Sequence, residues 1–535
     1  MASLPGKKKK WVLIIIIILS SACAAAAVIV ISRWNCGPPP AAPLNANPNP
    51  NPNPNKFGII AMNATVSALQ RAYARAPLYL GVARVASSPQ RRAAALEDCL
   101  ELLDDSVDLA KAALVKIAGI TLSLHRTRRS EEEVVDAQTW LSAALTNQET
   151  CIDGLRQSGA DINGEMDESS HLLTRALAMV NNLREPRRPE NIKNQDQDFP
   201  AWLSMSNRRL LQAPNGEAVF EANVTVAQDG SGQYLTIGEA VEQAPSKSKE
   251  RYVIYIKAGV YQENVDVSKN KTNLMFVGDG MSNTKVVSHR NVKDGSTTFR
   301  SATFAVSGEG FIARDMSFVN DAGPNKHQAV ALRVGADFSA IYRCSIFGYQ
   351  DSLYVHSLRQ FYRECNIYGT VDFVFGNAAV VLQDCNIVVR RPMPHQKNTI
   401  TAQGRKDPNQ NTGISIQNCR VLASRDLFSA QSSFQTYLGR PWKMYSRTVF
   451  IRTFIDDLIH PAGWLEWSGH YALQSLYYGE YRNRGPGAKL DKRVTWDGYR
   501  VIKTAEEAKN FTVANFISGS TWLPSTGIPF KGGLI

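Results

Sequence analysis

Two hydrophobic periodicities divide the chain into a helical part and a β-rich part. Apolar residues recur at helical spacing over residues 92–124 and again over 166–183, where glycine and proline are scarce. From Asn223 onward the pattern changes to short β-prone runs, such as 252–256 and 312–319, which Gly, Asn and Asp separate. The pattern predicts an all-α bundle of three or four helices followed by an extended β domain.

A repeat of about 20 residues runs through the β-rich part. The tripeptide CSI at 344–346 recurs 21 residues later as CNI at 365–367, and related units begin at Cys385, Cys419 and Met316. Units of this length favour a solenoid, in which each coil covers the hydrophobic face of its neighbour. A β-sandwich would give the same local texture, so the repeat is what favours a parallel β-helix.

Two aspartates occupy the same place in successive repeats, because Asp351 and Asp372 each follow a repeat cysteine by seven residues. Adjacent coils of a parallel β-helix lie about 4.8 Å apart, so equal register stacks the two carboxyl groups. Such neighbours do not ionise together easily, which raises one pKa and leaves a proton donor beside a nucleophile. That pair suits acid–base work on a carbonyl or glycosidic centre. Aspartate is also common in turns, so spacing alone leaves both interpretations open.

Five motifs in this region carry a resemblance to a known family. They are, in chain order, GVYQE (259–263), QAVAL (328–332), YQDSLY (349–354), GTVDFVFG (369–376) and LGRPW (438–442). The stretch from about Ala222 to Pro524 resembles the plant pectin methylesterases, the pectinesterase family. The resemblance implies a right-handed parallel β-helix that hydrolyses methyl-esterified galacturonate in pectin and releases methanol.

The resemblance also implies roles for the candidate catalytic residues. Asp372 matches the family nucleophile that attacks the ester carbonyl. Asp351 matches the acid–base that protonates the departing methanol and then activates water. Gln350 and Gln328 match the glutamines whose side-chain amides stabilise the developing oxyanion.

Three further positions match residues that bind the substrate or orient the nucleophile in the family. Arg440 is expected to hold Asp372 ionised through a charge-assisted hydrogen bond, a role that suits an always-charged guanidinium. Trp442 is expected to offer an aromatic face to the sugar. Thr298 matches a substrate-contacting threonine.

Other functions are alternatives to this one. His327 and His356 flank the motifs, but the chain contains no G-x-S-x-G motif, so both histidines are interpreted as structural and an α/β-hydrolase triad has little support. A pectin-cleaving lyase or glycosidase could share the β-helix. A catalytically weak wall-binding or inhibitory protein, acting through its helical part, is an alternative of another class. The intact pair of aspartates argues against that last alternative.

Length, charge and cysteine spacing constrain the domains and partners. With 535 residues the chain is too long for one compact core, and its net charge of +12 favours a polyanionic partner. No dense basic stripe occurs beyond residues 7–10, and no nucleic-acid-binding module is recognisable. The resemblance instead favours an acidic polysaccharide, with methyl-esterified homogalacturonan (pectin) as the expected partner and no nucleic acid. None of the eight cysteines forms a CxxC motif, so we expect no metal and no cofactor.

The N-terminus predicts entry into the secretory pathway. Residues 11–31 are almost wholly apolar, follow the lysines at 7–10 and are long enough to cross a bilayer. We interpret residues 1–35 as a basic cytoplasmic tail with a signal anchor, and the Pro/Asn-rich residues 36–56 as a linker. The small residues at 20–27 also permit a signal peptide that is cleaved, which is the alternative to an anchor. The precursor is expected to be membrane-anchored, and the mature enzyme to act in the cell wall or extracellular space.

Residues 57–195 form the helical part, which resembles the inhibitor-like pro-region of plant pectinesterases. Cys99 and Cys151 are expected to lie on neighbouring helices and to form a disulfide. The second cysteine pair of the family's pro-region is missing, because only Cys36 lies upstream, beside the membrane segment. Its absence favours retention of the precursor over tight inhibition.

A processing site is predicted between the two domains, in the charged linker 196–211. The linker ends in Arg208, Arg209, Leu210 and Leu211. This sequence resembles the dibasic processing sites of such precursors and lies at a domain boundary, where proteolysis concentrates. A processing protease is therefore an expected partner, as are inhibitor proteins of the mature esterase, and residues 212–535 are predicted to form the β-helix domain.

Two kinds of covalent modification are expected along the secretory path. The resemblance favours a Cys365–Cys385 disulfide, although the four cysteines of the β domain permit several pairings. N-glycosylation sequons occur at Asn63, Asn223, Asn270 and Asn510.

Overall fold

The computed structural model describes residues 54–80, 89–122, 128–159, 166–184 and 221–535. The apolar segment 11–31 and the processing site at 208–211 lie outside the described residues, so both stay predictions. Within the described ranges, no helix is both long and apolar enough to cross a membrane.

The helical part contains the predicted bundle. Its helices are α1 (Pro54–Arg75), α2 (Pro89–Leu122), α3 (Arg128–Gln157) and α4 (Asp167–Asn182), and a 3₁₀ turn, Ala76–Leu80, follows α1. Buried residues at helical spacing, such as Leu141 and Leu145 of α3 and Leu173 and Leu177 of α4, form its core. Cys99 and Cys151 join α2 to α3 through the predicted disulfide.

The β-rich part is a parallel β-helix, because successive coils add one strand in turn to each of three parallel sheets. The first sheet contains strands Val224–Val226, Tyr252–Ile256, Leu274–Gly278, Ile312–Arg314, Ser339–Tyr342, Arg359–Arg363, Ala379–Gln383, Gly413–Gln417, Arg447–Ile451, Tyr477–Tyr481 and Tyr499–Val501. The second contains Val265–Val267, Phe304–Val306, Leu332–Val334, Leu353–Val355, Val374–Gly376, Asn398–Gln403 and Thr436–Gly439. The third contains Gly259–Gln262, Thr284–Ser288, Ser317–Asn320, Ser345–Phe347, Asn366–Gly369, Asn386–Val389, Arg420–Ala423 and Phe454–Ile455.

Ladders of like side chains fill the inside of the β-helix. In the third sheet Ile346 pairs with Ile367, Ile367 with Ile387, and Ile387 with Val421, and all four side chains are fully buried. Since side chains alternate between the two faces of a strand, one inward residue per coil stacks on the next. The repeat read from the sequence is therefore the coil of the β-helix.

The cysteine ladder corrects one prediction. Cys344, Cys365, Cys385 and Cys419 each precede a strand of the third sheet, and all four are buried free thiols, so the expected Cys365–Cys385 disulfide is wrong in this structure. The Cys365 backbone N–H donates to Cys385 Sγ at 3.4 Å, while that thiol donates to the Tyr362 carbonyl at 3.6 Å. The sulfurs thus repeat with the coils, and the thiols of Cys365, Cys385 and Cys419 each donate to a main-chain carbonyl.

Short helices and turns complete the domain. They are the helices Ile237–Gln243, Arg425–Phe428, Ala505–Lys509, Val513–Phe516 and Gly519–Trp522, and the 3₁₀ turns Pro324–Lys326, Gln431–Ser433, Pro486–Ala488 and Leu523–Thr526. Trp522, Leu523 and Ile528 pack on the outer face of the first sheet against Val253 and Met275. The C-terminal segment therefore covers part of that face.

The helical bundle packs against the outer face of the second sheet. Its helices α2 and α3 share one buried apolar cluster with the β-helix, whose members include Ala95, Leu102, Ile152, Phe299, Tyr354, Phe375 and Ala402. The bundle therefore packs against the sheet whose strands Leu353–Val355 and Val374–Gly376 begin two residues after Asp351 and Asp372 in the chain.

Candidate active site

Asp351 and Asp372 lie in equivalent turns that lead from the third sheet into the second. Leu353 pairs with Val374, so the aspartates two residues upstream are one coil apart, as the 21-residue spacing predicted. Both have a positive φ, 64° for Asp351 and 51° for Asp372. Aspartate is among the few non-glycine residues that adopt this left-handed conformation readily.

Asp372 is held by charged and polar partners from the next two coils of the second sheet. Arg440, which follows strand Thr436–Gly439, donates from Nε to Oδ1 at 2.8 Å and from Nη2 to Oδ2 at 2.6 Å. The hydroxyl of Thr399 donates to Oδ1 at 2.6 Å. This fork fixes the orientation of the carboxylate and neutralises its charge.

Asp351 has a different environment. Burial and the neighbouring Asp372 carboxylate raise the pKa of Asp351 well above its ordinary value, although Arg440 acts in the opposite direction. Within the described residues its carboxyl group makes no side-chain hydrogen bond. Asp351 thus has the raised pKa that a proton donor needs, whereas Asp372 is a carboxylate held in place by its hydrogen bonds.

Both aspartates open into a cavity of about 250 Å³ on the second sheet. Its β-helix wall consists of Thr297, Thr298, Phe299, Gln328, Gln350, Asp351, Tyr354, Asp372, Phe375, Ala402, Arg440, Trp442 and Trp467. In the described part of the chain, the side-chain amides of Gln328 and Gln350 have no hydrogen-bond partner, so their N–H groups are available to a substrate oxygen. Aromatic rings and polar groups thus converge on the carboxylate pair.

Comparisons with known proteins agree with this geometry. The family model described as "Pectinesterase" matches residues 223–520, and the one described as "Plant invertase/pectin methylesterase inhibitor" matches residues 41–179. The chain belongs to the pectinesterase family. The predicted enzyme class, a carboxylic ester hydrolase, is thereby confirmed.

Relatives of this pectinesterase span both domains. "Probable pectinesterase/pectinesterase inhibitor 61" of Arabidopsis thaliana is 51% identical over 462 residues, 83% of this chain and 77% of that protein. "Pectinesterase/pectinesterase inhibitor U1" of Solanum lycopersicum is 49% identical over 494 residues, 89% and 83% of the two chains. The solved structure "Pectin methylesterase from Carrot" is 62% identical with a TM-score of 0.58, and the match covers 58% of this chain and 98% of that one.

The fold brings every predicted catalytic and binding residue of this pectinesterase to one cavity. They are Asp351, Asp372, Gln350, Gln328, Thr298, Arg440 and Trp442. The histidines do not join them: His327 is exposed outside the cavity wall, and burial lowers the pKa of His356 to about 3. A buried imidazole of that kind is neutral at physiological pH and fits the structural role expected for it.

Several aromatic wall residues were not predicted from the sequence. Of the aromatics near the two aspartates, Phe375 lines the cavity, whereas Phe373 points into the core and the Tyr349 hydroxyl accepts from Arg390. Tyr354 stacks on Phe375 with ring centroids 4.1 Å apart. The sequence offered a signal for Tyr354, because it lies between the apolar residues Leu353 and Val355 of one strand. Side chains alternate along a strand, so if its two neighbours point into the core, Tyr354 points outward.

Thr399 and Trp467 reach the site from distant parts of the chain. Thr399 lies 27 residues after Asp372, beyond an insertion that breaks the repeat, so no spacing signals its contact. The Arg440 guanidinium carbon lies 4.4 Å from the centroid of the Trp467 ring, and Trp467 extends the aromatic wall beyond Trp442.

The helical bundle supplies the other wall of the cavity. Its contribution consists of Asp98, Thr150, Asp153, Gly154 and Gln157. Asp98 accepts a hydrogen bond from Arg300 Nε at 2.6 Å and another from the Thr297 hydroxyl. Thr150 Oγ1 lies 3.0 Å from His356 Nε2. In the intact chain the catalytic groove is therefore covered by its own N-terminal domain.

The hydrogen bond from Thr399 to Asp372 predicts a specific loss of rate. Replacing Thr399 with Val removes a bond to an ionised group, worth about 1.5 kcal/mol or more, so we expect kcat to fall on the order of tenfold or more. Thr401→Val is the matched control, because its hydroxyl donates to the Leu438 carbonyl at 3.0 Å. Equal kcat values for the Thr399 variant and the wild type would contradict the positioning role.

The buried Asp98 predicts that docking of the bundle depends on pH. Burial raises the pKa of Asp98 to about 6 in the docked state, against the action of Arg300. An exposed aspartate has a pKa of about 3.9, so the docked state binds more protons and docking weakens about tenfold from pH 5 to pH 7. To measure this, a protease site is inserted into residues 185–220, the chain is cut there, and the dissociation constant between bundle and β-helix domain is measured at both pH values. Asp98→Asn should lose that share of the pH dependence; an unchanged dependence would contradict the assignment.

Proposed function

We propose that the β-helix domain hydrolyses methyl esters of pectin galacturonate to pectate and methanol, with Asp372 as nucleophile and Asp351 as acid–base. The single observation that carries this proposal is the unequal environment of the two carboxyl groups. Arg440 and Thr399 donate to Asp372, whereas burial raises the pKa of Asp351. A protonated acid beside an anchored anion is what ester cleavage by a carboxylate requires.

In the first half of the reaction, an Asp372 oxygen attacks the ester carbonyl carbon. The amides of Gln350 and Gln328 stabilise the oxyanion of the tetrahedral intermediate. As the intermediate collapses, the carbon–methoxy bond breaks and the leaving oxygen takes the Asp351 proton, which releases methanol. The products of this half are an acyl-Asp372 anhydride and an ionised Asp351.

The second half returns both carboxyl groups to their starting states. Asp351, now ionised, takes a proton from a water molecule, whose oxygen attacks the galacturonyl carbon of the anhydride. Collapse of the second tetrahedral intermediate breaks the bond to Asp372 and frees the galacturonate carboxyl. Thr298 contacts the polysaccharide, and the aromatic wall that includes Trp442 and Tyr354 offers it stacking surface.

Replacing Asp372 with Asn tests the nucleophile. The amide keeps the shape of the side chain but is not a nucleophile, so we expect release of methanol from methylated pectin to be abolished. The matched control is Asp384→Asn. Asp384 has a similar backbone conformation, φ 56°, but pairs with Arg363 at 2.7 Å, outside the cavity wall. Near wild-type turnover of the Asp372 variant with a normal melting temperature would refute the mechanism.

We also infer a second function, that of an intramolecular inhibitor, for the helical bundle. The observation that favours it is the cavity wall built by Asp98, Asp153 and Thr150. A tethered domain faces its neighbour at an effective concentration that reaches about the millimolar range for short flexible linkers. The bundle would therefore exclude pectin from the groove before maturation, whereas the sequence had favoured retention over inhibition.

Maturation is proposed to occur at Arg208, Arg209, Leu210 and Leu211, on a precursor anchored through residues 11–31. One cut by a processing protease would free a right-handed β-helix esterase into the cell wall, where separate inhibitor proteins would meet it. N-glycans on Asn63, Asn223, Asn270 and Asn510 fit this route, because all four residues are exposed.

Replacing Arg208 and Arg209 with Ala tests the processing site. The expected result is a larger, cell-retained and weakly active product, because the anchor and the bundle both stay attached. Immunoblots of cell and wall fractions with a methanol-release assay measure this, and Arg187 and Arg188 replaced with Ala form the matched control. Secretion of the first variant at the mature size with normal activity would show that the site was misassigned.

A further inference from the structure

We propose that Arg300 and Lys443, at the rim of the cavity, and Lys269, farther along the surface that the bundle covers, bind free carboxylates of de-esterified galacturonate units, and that carboxylates of the bundle occupy these positions in the precursor. This inference rests on the proposed function, because it takes pectin as the occupant of the groove. It adds a recognition site for the acid form of the polysaccharide, distinct from the centre that cleaves the ester.

The first observation is that two bundle carboxylates line the catalytic cavity, each held by a cation of the β-helix. Asp98 binds Arg300 at 2.6 Å, and Asp153 binds Lys443 at 2.9 Å. Arg300 directly follows the wall residues 297–299, and Lys443 directly follows Trp442. The two cations therefore stand at two places on the rim of the cavity, where a bound polysaccharide would present its carboxyl groups.

The second observation is that the pairing continues along α2, away from the cavity. Glu101 binds Arg300 at 2.8 Å. Lys269 then meets Asp104 at 2.5 Å, Asp105 at 3.1 Å and Asp108 at 2.8 Å. Asp98, Glu101, Asp105 and Asp108 recur every three or four residues on one helix face, and Asp104 lies beside them. With a rise of about 1.5 Å per residue, the stripe from Asp98 to Asp108 extends about 15 Å.

The stripe resembles a polyacid in chemistry as well as in length. When ionised, an aspartate side chain presents the same planar carboxylate as an unesterified galacturonate, and both accept the same hydrogen bonds from Lys and Arg. A methyl ester is neutral and attracts these cations much less. The row of cations would therefore distinguish the acid form of the polymer from its ester.

Stability alone explains the row poorly. The side chains of Lys269 and its partner Asp108 are 34% and 58% exposed, and such exposed pairs contribute about 0–1 kcal/mol. Arg300 pairs with the buried Asp98, where the cost of desolvating the carboxylate offsets the attraction. Complementary charges instead determine which partner binds and how fast it finds the groove. Removal of the bundle would expose these cations and make them available to a polysaccharide.

The test measures binding to the β-helix without turnover. A chain carrying Asp372→Asn and a protease site in residues 185–220 is cut, the bundle is separated, and the melting temperature verifies that the β-helix stays folded. Titration with unmethylated oligogalacturonate should show about tenfold weaker binding for the double variant Lys269→Gln, Arg300→Gln than for the parent, which carries Asp372→Asn alone. Arg482→Gln with Lys503→Gln, exposed residues outside the cavity wall, is the charge-matched control and should bind like the parent.

Two outcomes would overturn the inference. One is equal affinity of the parent and the Lys269/Arg300 variant for the unmethylated oligomer. The other is an equal loss with the fully methyl-esterified oligomer, because the cations would then not respond to free carboxylates. Failure of the proposed function gives a different result: the separated β-helix domain with Asp372 intact would release no methanol, whereas charge-dependent binding of the acid oligomer would persist.

Discussion

Hydrogen bonding between parallel strands in constant register is the constraint on which the rest of this structure depends. It places each coil one strand spacing from the next, so that residues at equal positions in the repeat stack in ladders. The isoleucine ladder through Ile346, Ile367 and Ile387 forms the core in this way. The same register brings Asp351 and Asp372 together outside that core. One geometric rule therefore builds both the scaffold and the catalytic pair.

In the proposed mechanism the two aspartates take different roles because the next coils surround them with different groups. Stacked carboxyl groups repel one another when both are ionised, and the second sheet resolves that conflict by supplying donors to only one of them. Arg440 and Thr399 reach Asp372, while burial beside that anion raises the pKa of Asp351. The different roles proposed for these two chemically identical side chains thus follow from their positions along the axis of the β-helix.

The helical bundle uses the surface that makes the groove suitable for a polyanion. Its apolar residues pack against the aromatic wall, and its carboxylates meet cations on the rim, such as Arg300 and Lys443. A groove that is both aromatic and cationic is complementary to an acidic sugar polymer, and a helical domain that covers it must present the same two properties. Under the proposed function, the acidic face of α2 and the substrate would bind the same cations.

The sequence by itself determined the two domains, the coil length, the stacked aspartates and the family. These properties are local or periodic: helical spacing in 92–124 and the 21-residue offset are written in neighbouring residues. Only the tertiary structure decided that Thr399 and Trp467 join the site, and that the sulfurs of Cys365 and Cys385 repeat with the coils without bonding. It alone placed Asp98 and Asp153 in the cavity wall, because contacts between distant segments depend on packing of whole domains, which no repeat or motif encodes.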